Sequence, residues 1–145
     1  MKISLKRIDD AFNFEAVNED GKTVLIDAAE KIGGRNRGVR PMQMMLMGAA
    51  GCAAIDIVSI LKKQKQEITG FDIEADGERE IPAHAGEAAV FNEVKIHFKL
   101  NGKIDPEKAK RAVELSMEKY CSASKILKLS GAKVEYKTSV NDQSV

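Results

Sequence analysis

Apolar and polar residues alternate with a two-residue period along the first third of the chain, which predicts short strands. The alternation predicts a first strand over 3–7, a second over 12–16 and a third over 23–27. Asp20-Gly21 precedes the third strand, and this pair tolerates the positive φ of a tight hairpin turn. We therefore expect an antiparallel strand meander at the start of the chain.

A long apolar run follows a glycine-rich basic loop, 33–41. Pro41 suits the first turn of a helix, and the pattern predicts one long helix from there to about Gln66. The 20 residues from Met42 to Leu61 approach the length of a membrane span. Asp56 interrupts this run, however, and a carboxylate is costly inside a bilayer. The sequence therefore favours the buried central helix of a soluble protein, with no membrane partner.

The second half returns to strict alternation and then to helical spacing. Asp105-Pro106 supplies a helix N-cap and a first-turn proline, and the apolar stripe that follows ends at Tyr120. Strands connected by hairpins, with helices between groups of strands, predict an α+β fold with a largely antiparallel sheet in a single domain, 1–145. The remaining predicted elements are strands over 71–76 and 94–100, a short helix over 121–129 and a closing strand over 132–136.

Composition excludes several classes of protein. The chain has 23 basic and 22 acidic residues, a net charge of +1, so no basic surface for nucleic acid is expected. Its 43% hydrophobic and 31% charged residues are typical of a soluble globular domain. Charged residues within 1–10 argue against a secretory peptide, and we expect a cytoplasmic protein with reduced thiols.

The two cysteines are too few for a disulfide framework. Cys52 lies in the middle of the predicted central helix among glycines and alanines, where it is either an inert core thiol or a thiol that a ligand can approach closely. Asp56 is one turn further on and disfavours a thiolate at Cys52. Cys121 begins a helix close to Lys119 and Lys125, which would favour a thiolate, but it could equally fill space at a helix junction.

Arg7 lies on the same face of the first strand as two apolar residues, where a guanidinium needs a partner. It either supplies fixed positive charge for a thiolate or is solvated because the strand ends early. His84 and His97 lack the spacing of a zinc site, and the Gly33-Gly34 loop lacks the pattern of a phosphate-binding loop. We expect no metal and no resident cofactor.

Two sequence contexts together resemble the OsmC/Ohr family of osmotically inducible and organic hydroperoxide resistance proteins. The first is the basic loop 33–41 followed by MQMMLMGAAGCAAID, and the second is Tyr120-Cys121-Ser-Ala-Ser-Lys125. The resemblance extends over nearly the whole order of elements. It implies an intertwined homodimer whose sheets enclose the two central helices, with active sites at the subunit interface.

The resemblance also implies roles for individual residues. Cys52 matches the peroxidatic cysteine, Cys121 the resolving cysteine, and Arg7 the strand arginine that stabilises the thiolate. The basic loop offers alternatives to Arg7. These alternatives are Arg35, Arg37 and Arg40.

One position departs from the family pattern. Family members carry a Glu after the helix-opening proline to orient the arginine, and here Met42 and then Gln43 follow Pro41. Asp56 could replace that carboxylate.

The function implied by the resemblance is reduction of alkyl or lipid hydroperoxides in oxidative stress defence. It would proceed through a Cys52 sulfenate and a Cys52–Cys121 disulfide, with a dithiol or lipoylated protein as reductant. Two alternatives remain: a non-catalytic binding or redox-sensing protein that holds an apolar ligand at the dimer interface, and thiol-disulfide exchange without peroxide chemistry.

Overall fold

The computed structural model of the chain describes residues 1–80, 82, 84 and 86–145. These residues form two compact units, Met1–Met45 and Leu46–Val145. The grouping of residues 1–145 into a single domain stays a prediction.

An antiparallel three-stranded sheet makes up much of the first unit, which confirms the predicted meander. Its second strand begins two residues later than predicted, because Asp9 holds the preceding segment in a turn. The Asp9 Oδ1 atom accepts backbone N–H bonds from Ala11, at 2.9 Å, and from Asn13, at 3.1 Å. The strands lie in the order β1-β2-β3. They are β1 (Ile3–Arg7), β2 (Phe14–Asn18) and β3 (Thr23–Ile26).

The predicted central helix is α1, Pro41–Lys63. It ends three residues earlier than expected, and Lys65 beyond it adopts the left-handed conformation with φ 56°. Its buried residues recur at every fourth position and form one stripe, whereas Ile55 on another face is 72% exposed. Burial of the other faces between two subunits stays a prediction. The stripe consists of Ala49, Ala53, Ile57 and Leu61.

Among the described residues, α1 is the one helix long and apolar enough to cross a membrane, and core helices of soluble proteins share that property.

The second unit contains a four-stranded sheet in the order β4-β5-β6-β7. The pair β4 and β5 is antiparallel, as predicted, but β6 is parallel to β5. A chain that leaves one strand and returns parallel to it must cross over, and the helical segment between β5 and β6 provides this crossover. The strands are β4 (Glu67–Arg79), β5 (Phe91–Lys103), β6 (Lys133–Val140) and β7 (Gln143–Ser144).

Alternation along β5 confirms the two predicted faces. Val94, Ile96 and Phe98 are buried in the core, whereas Lys95 between them is exposed. The crossover comprises α2 (Pro106–Leu115), a π-helical turn (Ser116–Tyr120) and α3 (Ser122–Leu129).

The sequence predicts the start of α2 correctly, but not the end of the apolar stripe that follows Asp105-Pro106. Asp105 caps α2 as predicted, since its side chain accepts the backbone N–H bonds of Glu107 and Lys108. Helical spacing predicts Tyr120 on the buried stripe, and this prediction is wrong, since Tyr120 is 50% exposed. The π-helical turn is wider than an α-helical turn, with the Cys121 N–H bonded to the Ser116 carbonyl at 2.8 Å. This turn shifts the helical phase, so that Cys121 rather than Tyr120 faces inward.

Candidate active site

The structure brings the two cysteine thiols together although 121 − 52 = 69 positions separate them in the chain. Cys52 is half-buried on α1, and Cys121 is 3% exposed at the N-cap of α3; both are free thiols. The Cys121 thiol lies against α1, where it donates to the Ala49 carbonyl at 3.8 Å. Its sulfur accepts the Ser124 N–H at 3.3 Å, and the Cys52 thiol is close enough to interact with it electrostatically.

Burial, together with a smaller contribution from the adjacent Cys52 thiol, raises the pKa of the Cys121 thiol from 9.0 to about 11. The Ser124 N–H acts in the opposite direction without overcoming burial. The expectation that the helix start and two lysines favour a Cys121 thiolate is therefore wrong. Lys119 and Lys125 are both exposed, and Lys119 lies over the Tyr120 ring at 5.5 Å.

Asp56 is tied to the π-helical turn by Ser116. The buried Ser116 hydroxyl donates to Asp56 Oδ2 at 3.3 Å and lies 3.4 Å from the Ala53 carbonyl oxygen. Ser116 was not among the predicted site residues. A signal was present, because Ser116 follows Ala112 and Val113 at helical spacing and is thus a polar residue on an apolar stripe.

A cleft of about 590 Å³ lies between the second half of α1 and the end of α2 with the π-helical turn. Asp56 and Lys63 give it one acidic and one basic side chain. Among the residues that the structure describes, the buried Gln64 Oε1 atom has no hydrogen-bond partner. We call this the α1–π cleft. It is lined by Asp56, Ser59, Ile60, Lys63, Gln64, Leu115 and Tyr120.

Arg7 is exposed at the end of β1 and folds back on the turn that follows. Its Nε donates to the Ala11 carbonyl at 2.9 Å, and its Nη2 donates to the Asp10 carbonyl. These partners are neutral, so they orient the guanidinium without neutralising its charge. Arg7 belongs to the first unit and both cysteines to the second, and the catalytic role of Arg7 stays a prediction.

The alternative arginines have other partners within the first unit. Arg35 pairs with Asp10 at 2.8 Å and lies 3.5 Å from Asp9, and this guanidinium lowers the pKa of Asp10. Arg40 donates to the Gly38 carbonyl at 3.1 Å and to Asn36 at 2.9 Å.

Asp27 organises the basic loop, although no motif in the sequence predicts this role. Its buried carboxylate accepts the backbone N–H groups of Ala28, Arg35 and Arg37 at 2.7, 3.1 and 2.9 Å. The Arg37 N–H is the largest cause that lowers the pKa of Asp27. Gly34 is required nearby, since a Cβ there would lie 1.9 Å from the Ala28 carbonyl oxygen.

Gln43 has a structural role at the start of α1. Its Oε1 accepts the Arg40 backbone N–H at 2.9 Å, which caps the helix. Met42, at the position where the resemblance implies a Glu, is half-buried and offers no carboxylate.

His97 lies away from the cysteines, on the polar face of the four-stranded sheet. It is 3.1 Å from Ser139, and burial together with Lys137 and Lys99 lowers its pKa. Among the described residues, no three His, Cys, Asp or Glu side chains cluster as a metal site would require.

Comparison with known proteins gives the family. The model of the OsmC-like protein family matches residues 34–137, well over half of the chain. The chain belongs to the OsmC-like family. The match includes both cysteines, the basic loop from Gly34 onward and the α1–π cleft.

A curated relative is Protein YhfA of Escherichia coli strain K12. It is 40% identical over 88 residues, which cover 60% of this chain and 63% of YhfA. The aligned region thus spans less than two thirds of that relative.

Solved structures confirm the α+β OsmC-like fold. A hypothetical protein from Aquifex aeolicus VF5 is 25% identical, with a TM-score of 0.76 and coverage of 97% of both chains. An OsmC-like protein from Mycoplasma pneumoniae is 17% identical, with a TM-score of 0.78 and coverage of 96% of this chain and 95% of the other. An organic hydroperoxide resistance protein OsmC from Legionella pneumophila is 19% identical, with a TM-score of 0.66 and coverage of 97% and 96%.

Proposed function

We propose that this OsmC-like protein is a cysteine-based peroxidase that reduces organic hydroperoxides. The observation that carries the proposal is the approach of two free thiols, one from α1 and one from the N-cap of α3. Membership of the OsmC-like family supports it. The names of fold neighbours described as organic hydroperoxide resistance proteins are consistent with it.

In the first step, the Cys52 thiolate attacks the peroxide oxygen distal to the alkyl group. The O–O bond breaks, Cys52 becomes a sulfenic acid, and the alkoxide leaves as an alcohol after taking up a proton. Cys52 is the more accessible of the two sulfurs, since it is half-buried whereas Cys121 is 3% exposed. Met45 lies seven positions before Cys52 on the same face of α1 and is 46% exposed, and an apolar side chain there favours an alkyl or lipid hydroperoxide over hydrogen peroxide.

In the second step, the Cys121 sulfur attacks the Cys52 sulfenic acid, and a disulfide and water form. The raised pKa of Cys121 keeps it protonated at neutral pH, so that it acts after Cys52 rather than before it. A dithiol or lipoylated protein then reduces the disulfide.

Arg7 is the arginine we propose for stabilising the Cys52 thiolate. Its guanidinium is held by two carbonyl oxygens, whereas the carboxylates of Asp9 and Asp10 balance the charge of Arg35. Arg40 is also held by neutral oxygens, and the strand position of Arg7, which the family resemblance implies for the arginine, favours Arg7 over it. With Met42 in place of the family's Glu, we expect Arg7 to be oriented by these carbonyl oxygens instead.

We further propose a cytoplasmic homodimer in which the exposed apolar face of α1 packs against a second subunit. Ile55 on this face is 72% exposed and Met47 is 56% exposed, and such a surface is costly in water. Gly48 and Gly51, both exposed, would let a second helix approach closely.

Stopped-flow mixing of the reduced protein with cumene hydroperoxide tests the peroxidase. We expect the wild type to react much faster than free cysteine. Cys52→Ser should abolish the reaction, and Cys121→Ser should leave the first step intact but prevent the intramolecular disulfide, detected by mass spectrometry. A wild-type rate equal to that of free cysteine would refute the proposal.

A second candidate function is non-catalytic binding or redox sensing. The exposed apolar face of α1 favours it, because an apolar ligand could occupy this face at a dimer interface. It predicts a ligand that co-purifies and stabilises the protein thermally, with both cysteine variants equal to the wild type.

A further inference from the structure

The α1–π cleft has charged and polar side chains on its walls that the proposed peroxide chemistry does not use. It contains one carboxylate, Asp56, and one ammonium, Lys63, on the same side of α1. Lys63 follows Asp56 by seven positions, roughly 10 Å along the axis, but helical side chains bend towards the N-terminus and the long Lys63 side chain shortens the distance between the two charges. A cleft with one charge of each sign favours a ligand that also carries both charges.

Two further features favour a polar ligand. The Ser116 hydroxyl holds one oxygen of Asp56, at 3.3 Å, which fixes the carboxylate before any ligand arrives. The Gln64 Oε1 atom is buried and, within the part of the chain that the structure describes, lacks a donor. A buried acceptor without a partner is unfavourable, and a ligand N–H would satisfy it.

The cleft also lies beside both cysteines. Asp56 follows Cys52 by one helical turn, roughly 6 Å along α1. Tyr120 lines the opposite wall and directly precedes Cys121. A small molecule whose charged groups are bound in the cleft would therefore need only a short side chain for its reactive atom to reach the cysteines.

We propose that the α1–π cleft binds the ammonium and carboxylate groups of a zwitterionic low-molecular-weight thiol, whose sulfur reacts at Cys52. This inference rests on the proposed function and changes its reductant: two molecules of a small monothiol take the place of the dithiol or lipoylated protein named there. Asp56 accepts the ammonium, Lys63 binds the carboxylate, and Gln64 accepts an additional N–H.

The reaction consumes two thiol molecules for each disulfide. The first thiol attacks the Cys52 sulfur, the Cys52–Cys121 bond breaks, a mixed disulfide forms on Cys52, and Cys121 takes up the proton. The second thiol attacks the sulfur of the bound first thiol, which releases a small symmetric disulfide and restores the Cys52 thiol. The protein disulfide is reduced and the two small thiols are oxidised.

The reverse reaction provides the test, because it needs no peroxide. The fully reduced protein is mixed with four symmetric disulfides, and mixed-disulfide formation is followed by mass spectrometry. The disulfides are L-cystine, cystamine, 3,3′-dithiodipropionate and 2-hydroxyethyl disulfide, whose head groups are zwitterionic, cationic, anionic and neutral. Each rate of mixed-disulfide formation is divided by the rate at which the same small disulfide reacts with N-acetylcysteine. This normalisation removes the effect of differences in leaving-group pKa.

We expect the normalised rate of L-cystine to exceed those of the other three by at least about fivefold, the size of one ion pair at a partly exposed site. Asp56→Asn and Lys63→Gln should each reduce the ratio of L-cystine to 2-hydroxyethyl disulfide. Asn can still accept the Ser116 hydroxyl, and Lys63 is exposed at the end of α1, so both variants should fold.

Lys62→Gln is the matched control, since Lys62 is adjacent in sequence but lines a different groove with Ala54, Ile55 and Val58. Its ratio should equal that of the wild type. Equal normalised rates for the four disulfides, or the same loss in Lys62→Gln as in Lys63→Gln, would overturn the proposal. If the protein prefers L-cystine but does not consume cumene hydroperoxide, the peroxidase proposal fails and the cleft assignment stands.

Discussion

The buried Cys121 thiol should make the stability of the protein depend on alkaline pH. Its pKa lies near 11 in the folded protein, above its ordinary value of 9.0. Between these two pH values the unfolded chain loses the thiol proton while the folded chain keeps it. Deprotonation therefore stabilises the unfolded state, and the free energy of unfolding falls as pH rises from about 9 to about 11.

The size of the effect follows from the difference in pKa. A difference of about two pH units corresponds to a loss of about 3 kcal/mol in the free energy of unfolding, roughly half of it by pH 10. The main cause is burial, since Cys121 is 3% exposed. Cys121→Ala removes the titrating group and should remove this part of the pH dependence.

Urea unfolding of the wild type and of Cys121→Ala, at one protein concentration and with a phosphine reductant, measures the effect at pH 7.5, 9, 10 and 11. Other groups titrate in both proteins and cancel in the difference. Loss of the sulfur lowers the free energy of unfolding of the alanine variant by the same amount at every pH. The difference in free energy of unfolding between the wild type and the variant should therefore shrink steadily above pH 9. A difference that stays constant from pH 7.5 to 11 would refute the argument that burial controls the Cys121 thiol.

Three further predictions concern other parts of the chain. Asp27→Asn should lower the free energy of unfolding at pH 7. The difference in free energy of unfolding between the wild type and the variant should become smaller as pH falls below 3.8, because the pKa of Asp27 is depressed in the folded protein and its stabilisation is lost on protonation. Urea unfolding of both proteins over a series of acidic pH values checks this. Leu61→Ala should lower the free energy of unfolding by about 3 kcal/mol, since Leu61 is 0% exposed, whereas Leu129→Ala, at 77% exposed, should change it by less than about 0.5 kcal/mol. Ile55→Asp should halve the mass measured by light scattering if α1 forms the dimer interface, and an unchanged dimer would contradict that interface.

The sequence determined the elements whose signals are local. Pro41 starts α1 and Asp105 caps α2, since a proline or a capping side chain acts on the residues next to it. Alternation likewise fixed which face of β5 is buried, because the period of a strand is set by its own backbone. The positions of Cys52 and Cys121 on their helices followed from the same local patterns.

Contacts between distant segments decided the rest. The parallel pairing of β6 with β5 depends on where a crossover of two helices returns, which no residue of β6 encodes. The π-helical turn moved Tyr120 outward and Cys121 inward, and the resulting burial, rather than the nearby lysines, sets the pKa of Cys121. The sequence provided two cysteines in two helical segments, but their approach required the N-cap of α3 to lie against α1, because burial and contact between positions 69 apart are properties of the folded chain.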